Sequence, residues 1–456
     1  MTKDMTKGTP WKLIFAFMVP VCCGNIFQNF YNIVDAMIVG RFLGVEALAA
    51  VGSTGSINFL VIGWIVGMTS GFGIQLSQAF GANDQKRLKH YFAMSVYLCI
   101  GLAVFMTAGL LLANSTILQW MNTPDDIFFN TKKYIGIIYA GLPVTILYNM
   151  LATVARALGD SKTPLYFLLA ASALNIVLDV ICIISFGMGV EGAAYATVFS
   201  QFVAALGSGT YMWKKYAVLH MTKEERRADL KSMGTLLYMG LPMGLQYSIT
   251  AIGTVFMQIA VNGLGSVSVA AVTAGIRIDS FFFAIFDALG ATMATFGGQN
   301  VGARKLERVK KGLGCACIIG SVYSIFAFAI LNLSSPKLAL LFVDASETAL
   351  IANVVKYTMF ESLFFIPLAL VNCVRYMIQG MGFSMFAFCA GIMELIARSS
   401  VALILVPMLG FTGACLAGPV AWVMADIYLI PAFFHVYHLL QKRFEAQKDT
   451  GVFAEA

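Results

Sequence analysis

Long apolar runs separated by short polar breaks fill this chain from end to end. Residues 60–73, 91–113 and 165–187 are three such runs. Spanning ~30 Å of hydrocarbon takes ~20 consecutive apolar residues as a helix. Only helices and closed barrels satisfy their own backbone hydrogen bonds in lipid. A barrel would alternate apolar and polar residues over short segments. The unbroken runs therefore predict helices, at 12–38, 49–79, 91–113, 131–155, 164–186, 192–213, 234–263, 269–298, 312–334, 348–379, 384–407 and 413–440. Several exceed 25 residues, which implies tilt or extension beyond the bilayer. The first run is too long for the core of a signal peptide and is expected to remain as helix 1.

Positive charge orients this bundle. With both ends placed inside the cell, the inner segments hold 22 of the 30 Lys and Arg residues, including six at 214–231 and five at 304–311. The outer segments hold Arg41, Lys132, Lys133, Lys337 and Lys356, and Arg277, Arg375 and Arg398 fall within helices. That asymmetry predicts an even number of spans with both termini cytoplasmic, in the cell membrane.

The chain also repeats itself. LGVEALAAVGSTGSI (43–57) aligns with LGSVSVAAVTAGIRI (264–278) at an offset of 221, with six identities. QAFGANDQKRLK (78–89) aligns with QNVGARKLERVK (299–310) at the same offset, with five. GVEGA (189–193) meets GFTGA (410–414), Pro20 meets Pro242 and Gly159 meets Gly382 at offsets between 221 and 223. Biased membrane composition alone would scatter the offsets. The fold class expected is therefore an all-α membrane protein of twelve helices in two pseudo-symmetric six-helix lobes, 1–220 and 221–456. Six is even, so both halves have the same orientation and form a parallel repeat. Two equivalent lobes suit alternating access, one rocking against the other, rather than a channel.

Composition agrees with lipid as the main solvent. Only 12% of residues are charged and 59% are apolar, against roughly 25% charged in soluble domains. The net charge of +7 reads as basic loops, not as a nucleic-acid surface. Nine cysteines, odd in number and mostly inside apolar runs, read as packing residues. Cys315 and Cys317 have the wrong spacing for a zinc or redox site. No nucleotide-binding loop and no HExxH or GxSxG string is present, so no enzyme activity and no cofactor is expected; uphill transport would draw on an ion gradient.

Charge inside lipid is costly and marks function. The first half carries Asp35 on helix 1 and Asp179 on helix 5, with Asn175 four residues earlier on the same face. Asp179 lies fifteen residues past Pro164, about 22 Å across the membrane at ~1.5 Å per residue. Asp35, Thr197 and Tyr134 sit at a similar depth. Two carboxylates, an amide, a hydroxyl and a phenol suit Na⁺ or a proton. The alternative is that Asn175 and Asp179 merely hydrogen-bond between helices. In the second half, Glu394 and Arg398 are expected to neutralise each other at i,i+4. Arg277 and Asp279 are expected to be solvated at the outer start of helix 8, and Asp287 stands deeper without an evident partner. Pro20 permits a kink in helix 1. The glycines of GWIVGMTSGFG (63–73) allow close helix approach. The 24 Met and 36 Phe suit apolar ligands where they line a cleft.

These motifs together resemble the MATE (multidrug and toxic compound extrusion) family over nearly the whole chain. The resemblance rests on YNIVDAMIVGRFLG after Pro20, QAFGAND, RALGDSKTP (156–164), NIVLD (175–179) with GVEGAAYAT (189–197), and GGQNVGARK (297–305). It extends to Arg398 with Gly410 and Gly413. The acids of the first half look most like the DinF-like branch, whose matching residues form a cation site: Asp35, Asn175, Asp179 and Thr197, with Tyr134 beside them. The resemblance implies a V-shaped pair of lobes, bending of helix 1 at Pro20, and export of organic cations or amphipathic drugs by a monomer in exchange for H⁺ or Na⁺. A flippase for lipid-linked sugars or peptidoglycan precursors is the alternative within the same broad superfamily. It would need a more cationic cavity to hold a pyrophosphate.

Overall fold

A computed structural model describes residues 3–449. Twelve helical passes follow one another: α1 Pro10–Leu43, α2 Val45–Gly81, α3 Gln85–Trp120, α4 Asp125–Ala140 with Leu142–Ala157, α5 Lys162–Ser185 and α6 Gly189–Lys215. The second set is α7 Leu230–Asn262, α8 Ser266–Gly302, α9 Leu306–Ala339, α10 Thr348–Leu363 with Phe365–Gly380, α11 Ser384–Leu409 and α12 Ala417–Gln447. Among the described residues, nine helices are long and apolar enough to cross a membrane, and eleven when each bent pair is one span. The twelfth, α6, is 27 residues long, but its glycines, small side chains and hydroxyls make it less apolar. It packs on α4 and α5. Large apolar side chains such as Phe105, Leu112 and Val104 of α3 stand exposed, as a lipid-facing surface requires.

Proline explains both bends. α4 turns by 47° and α10 by 49° at their breaks. Pro143 and Pro367 stand two and three residues after Gly141 and Phe364. Each lacks the N–H that would bond one turn back, and its ring crowds that carbonyl.

The backbone itself repeats. Positive φ occurs at Gly44 and Gly265, Asn83 and Arg304, Gly159 and Gly382, and Gly189 and Gly410, the offsets read from the sequence. α5 and α11 both pass into a π-helical turn, at Ile181–Ser185 and Val401–Leu405. The duplication is therefore structural, down to single turns.

By packing, the chain forms two compact units. The first holds Cys23–Phe80 and Asp84–Gly244, and the second holds Asp4–Cys22 and the described residues from Leu245 onward. α1 and α7 each contribute to both. The first unit's core runs through Phe72, Tyr139 and Ile146. The second is built on Phe286, Phe365 and Trp422, with edge-on ring contacts such as Phe286–Phe365 at 5.5 Å.

Within the first unit, the basic linker is tied to the start of α3. His90 Nδ1 lies 3.1 Å from the Glu225 carbonyl, and the Tyr97 hydroxyl donates to the Arg226 carbonyl at 3.0 Å. Within the second unit, the segment before α1 is strapped to the α8–α9 turn. Met5 N–H donates to Gln299 Oε1 at 2.9 Å, and Lys305 and Arg308 donate to the Thr6 and Gly8 carbonyls at 2.9 Å.

Gly67 and Gly71 lie one turn apart on one face of α2. A Cβ on Gly67 would stand 2.4 Å from the Met243 carbonyl oxygen, and one on Gly71 2.5 Å from the Gly240 Cα. Both contacts are with backbone, which cannot yield as a side chain end can. Gly71→Val is therefore expected to destabilise the protein by about 3 kcal/mol, the upper range for overpacking. Thermal unfolding in detergent measures this, and an unchanged midpoint would mean the helices are free to separate there.

Candidate cation site

In the first unit, α1, α4, α5 and α6 bring their interior polar side chains into one cluster. Asp179 is fully buried and Asn175 nearly so. Both project from one face of α5, four residues apart. Asn175 Nδ2 donates to Thr197 Oγ1 on α6 at 3.3 Å. The Tyr31 hydroxyl, one turn before Asp35 on α1, lies 3.5 Å from the same oxygen. Asp35 and Asp179 come within carboxyl–carboxyl hydrogen-bonding reach. The buried Tyr134 of α4 lies within electrostatic range of both acids. Tyr31 was not singled out in the sequence, although its i,i+4 spacing from Asp35 was there to read.

What the cluster lacks defines its chemistry. Asp35 Oδ1, both oxygens of Asp179 and Asn175 Oδ1 are buried without a hydrogen-bond partner. Among the described residues, no lysine, arginine or histidine pairs with either acid. Two ionised carboxylates cannot face each other in a low dielectric without a cation to offset them. A proton shared between them would complete the carboxyl–carboxyl bond. A hard monovalent cation would find carboxylate, amide and hydroxyl oxygens, the donor type such ions take.

The second unit departs from the sequence reading. Glu394 does not pair with Arg398 one turn along. It is bonded instead by the guanidinium of Arg375 from α10, both groups being buried. Asp279 is buried rather than solvated, and neither of its carboxylate oxygens has a partner. Arg277 is exposed. Asp287 is exposed too, on α8, within range of Tyr376.

Asp279 belongs to a cluster with Glu361 and Tyr357 of α10. Glu361 lies within hydrogen-bonding reach of Tyr357 and of the Gly418 backbone, with Arg398 in electrostatic range. A Cβ at Gly418 would lie 2.5 Å from the Glu361 carboxylate, so glycine is what lets the acid reach the α12 backbone. Lys133-Tyr134 and Lys356-Tyr357 share the repeat offset, and Thr197 matches Gly418. The two clusters thus occupy equivalent places in the two halves, acidic with no cationic partner in one and containing an arginine in the other. Glu361 was missed because nothing in its own helix distinguished it. The repeated Lys-Tyr pair was the available signal.

A third polar centre, outside the membrane-spanning segments, ties the start of α5 to the end of α6 in the first unit. Asp160 accepts from Tyr216 Oη at 2.5 Å, Lys215 Nζ at 2.6 Å, Thr163 Oγ1 at 2.8 Å and Thr163 N at 3.0 Å. Burial alone would raise this carboxyl. The hydrogen bonds from Lys215, Tyr216 and Thr163 outweigh it and hold the group well below the usual carboxylate range.

Twelve helical passes in a duplicated six-helix plan, with charge clustered inside each half, define a polytopic membrane protein of the duplicated transporter type. Comparison with known proteins gives the family. The MatE family pattern matches residues 20–181 and again 242–404, once in each half, and the chain belongs to that family. YoeA, a probable multidrug resistance protein of Bacillus subtilis (strain 168), is 30% identical over 364 residues, 77% of this chain and 78% of its own. YpnP, a probable multidrug resistance protein of the same organism, is 32% identical over 310 residues, 67% and 68% of the two chains. The outward-facing conformation of a multidrug resistance MATE family transporter of the MOP superfamily matches with a TM-score of 0.90 at 24% identity. That match covers 96% of this chain and 98% of the other.

Proposed function

We propose that this chain is a secondary active exporter of organic cations and amphipathic drugs, driven by antiport of H⁺ or Na⁺ through the first-unit cluster. The observation that carries the reading is the pair Asp35 and Asp179, facing each other inside the membrane with unpartnered oxygens and no basic side chain. Asn175, Thr197, Tyr134 and Tyr31 complete the cage. Cation and cargo act on one conformational equilibrium: each shifts it only by its differential affinity for the two states. Pro20, inside α1 fifteen residues before Asp35, is the hinge through which occupancy bends that helix. The names of the relatives support drug export, and the arrangement of acids supports the DinF-like branch. The same reading places the protein in the cell membrane as a monomer with both termini cytoplasmic. A lipid-linked pyrophosphate cargo is disfavoured, because the first-unit interior offers it no cation.

Proteoliposome efflux under separate gradients tests this reading. A cationic dye should leave against its own gradient when an H⁺ or a Na⁺ gradient is imposed, and only downhill when neither is. Equal dye movement with and without both gradients would remove antiport from the account.

A further inference from the structure

The second unit contains a buried charge group that the first-unit site does not use. Arg375 on α10 is bonded to Glu394 on α11, and Asp426 on α12 lies within electrostatic range of both. All three are more than nine-tenths buried. Asp426 Oδ1 and Arg375 Nε have no hydrogen-bond partner, nor does Oε1 of Gln379, one turn along α10. The group carries one positive and two negative charges, so with every residue ionised one negative charge is left over inside lipid.

The duplicated half serves as an internal control. At the repeat offsets, Arg375 matches Ala152, Glu394 matches Ala173 and Asp426 matches Ala205. Ala152 and Ala205 are buried. Ala173 is exposed, so at the positions of Arg375 and Asp426 the same fold closes with methyl groups, and those two charges are not needed for the helices to pack. A buried ion pair is weak evidence of stability, since apolar side chains of like volume often do as well. An additional unpaired carboxylate is costlier still. The charges call for a reason other than packing.

We infer that Asp426 is a second proton-binding carboxyl of this protein, balanced against the Arg375–Glu394 pair. A metal ion fits the group poorly: it would sit beside a guanidinium and find a single unpaired carboxylate oxygen. A proton needs only that oxygen. It comes from and returns to bulk water, and Arg375 keeps its own. With Asp426 protonated, Arg375 pairs with Glu394 alone. When the proton leaves, two carboxylates compete for one guanidinium, and α12 is drawn into the contact between α10 and α11. Besides Arg375 and Glu394, the titratable groups in electrostatic range of Asp426 are Cys373 of α10 and Cys317 of α9. Neither of them supplies a positive charge. The role of this proton rests on the chain being a cation-driven exporter, but its presence does not.

Infrared difference spectra of the full chain in lipid, taken between acid and alkaline buffer, read protonated carboxyl groups by their C=O stretch. Asp426→Asn should lose one component of that band, and Asp179→Asn should lose a different one. Glu394→Gln frees Arg375 and should shift the midpoint of the Asp426 component, a change that a purely packing role would not produce. Asp426→Glu keeps a carboxyl and should move the band in frequency if the asparagine variant does not fold. A band unchanged in both Asp426 variants, or a midpoint unmoved in Glu394→Gln, overturns the inference. Loss of the Asp426 component with the Asp179 component absent from the wild type would leave it standing while the first-unit site fell.

Discussion

Asp179→Asn should silence coupled export while the protein still inserts and folds. The amide keeps the shape and volume of the side chain but cannot alternate between a charged and a neutral form. Asp179 is fully buried, so the substitution touches no lipid-exposed surface. A cation that binds both conformations equally shifts neither. Efflux of a cationic dye should therefore fall by about tenfold or more, the factor that ~1.4 kcal/mol of lost differential binding gives. Asp35→Asn should act in the same direction, since one carboxyl is left to do the work of two. Dye accumulation in a drug-sensitive host, with protein level checked in the membrane, measures both. Full activity of Asp179→Asn would take the first-unit cluster out of the mechanism.

A large effect on stability is also expected at Asp160→Ala. That carboxylate collects a phenol, an ammonium, a hydroxyl and a backbone N–H from α5 and from the end of α6. Removing one partner of a buried charged network typically costs 3–5 kcal/mol. Lys215 is one-quarter exposed, so water can take over part of its load, and a loss of about 3 kcal/mol is expected. The pH dependence has a definite sign. The folded-state carboxyl titrates below its unfolded value, so its stabilisation is complete above the unfolded value and is lost as pH falls through the folded one. Thermal stability should owe no pH dependence to Asp160 near neutrality and should lose this contribution only in strong acid, below about pH 4. In Asp160→Ala the acid-sensitive step should be smaller. An equal step in both proteins would mean the network is not held through this residue.

Much of this architecture is written in the chain because lipid leaves few alternatives. The apolar runs, the two six-helix halves and the offset near 221 follow from one composition and one duplication, and the paired positive-φ positions repeat that offset in the backbone. The cluster around Asp179 was within reach of sequence for a similar reason. Depth across a bilayer can be counted in residues, and few polar side chains compete at that depth. Azimuth is harder to read. Glu394 has an arginine one turn along its own helix, yet it takes Arg375 from α10, because a neighbouring helix brings that guanidinium closer than the local spacing does. Asp279 sits near a helix start that looked solvated, and only packing against α10 shows it buried beside Glu361. The runs at 131–155 and 348–379 were read as single helices; Pro143 and Pro367 were the available signal for their bends, whose direction depends on what each half-helix packs against.

Substrate affinity measured against pH and Na⁺ tests the central claim most directly. If cation and cargo act on one equilibrium, each must change the affinity of the other by the same factor. Purified wild-type protein in lipid should bind a cationic dye more weakly as H⁺ or Na⁺ concentration rises, and Asp179→Asn should bind it with an affinity independent of that cation. An equally strong cation dependence in the variant would place the coupling elsewhere in the molecule.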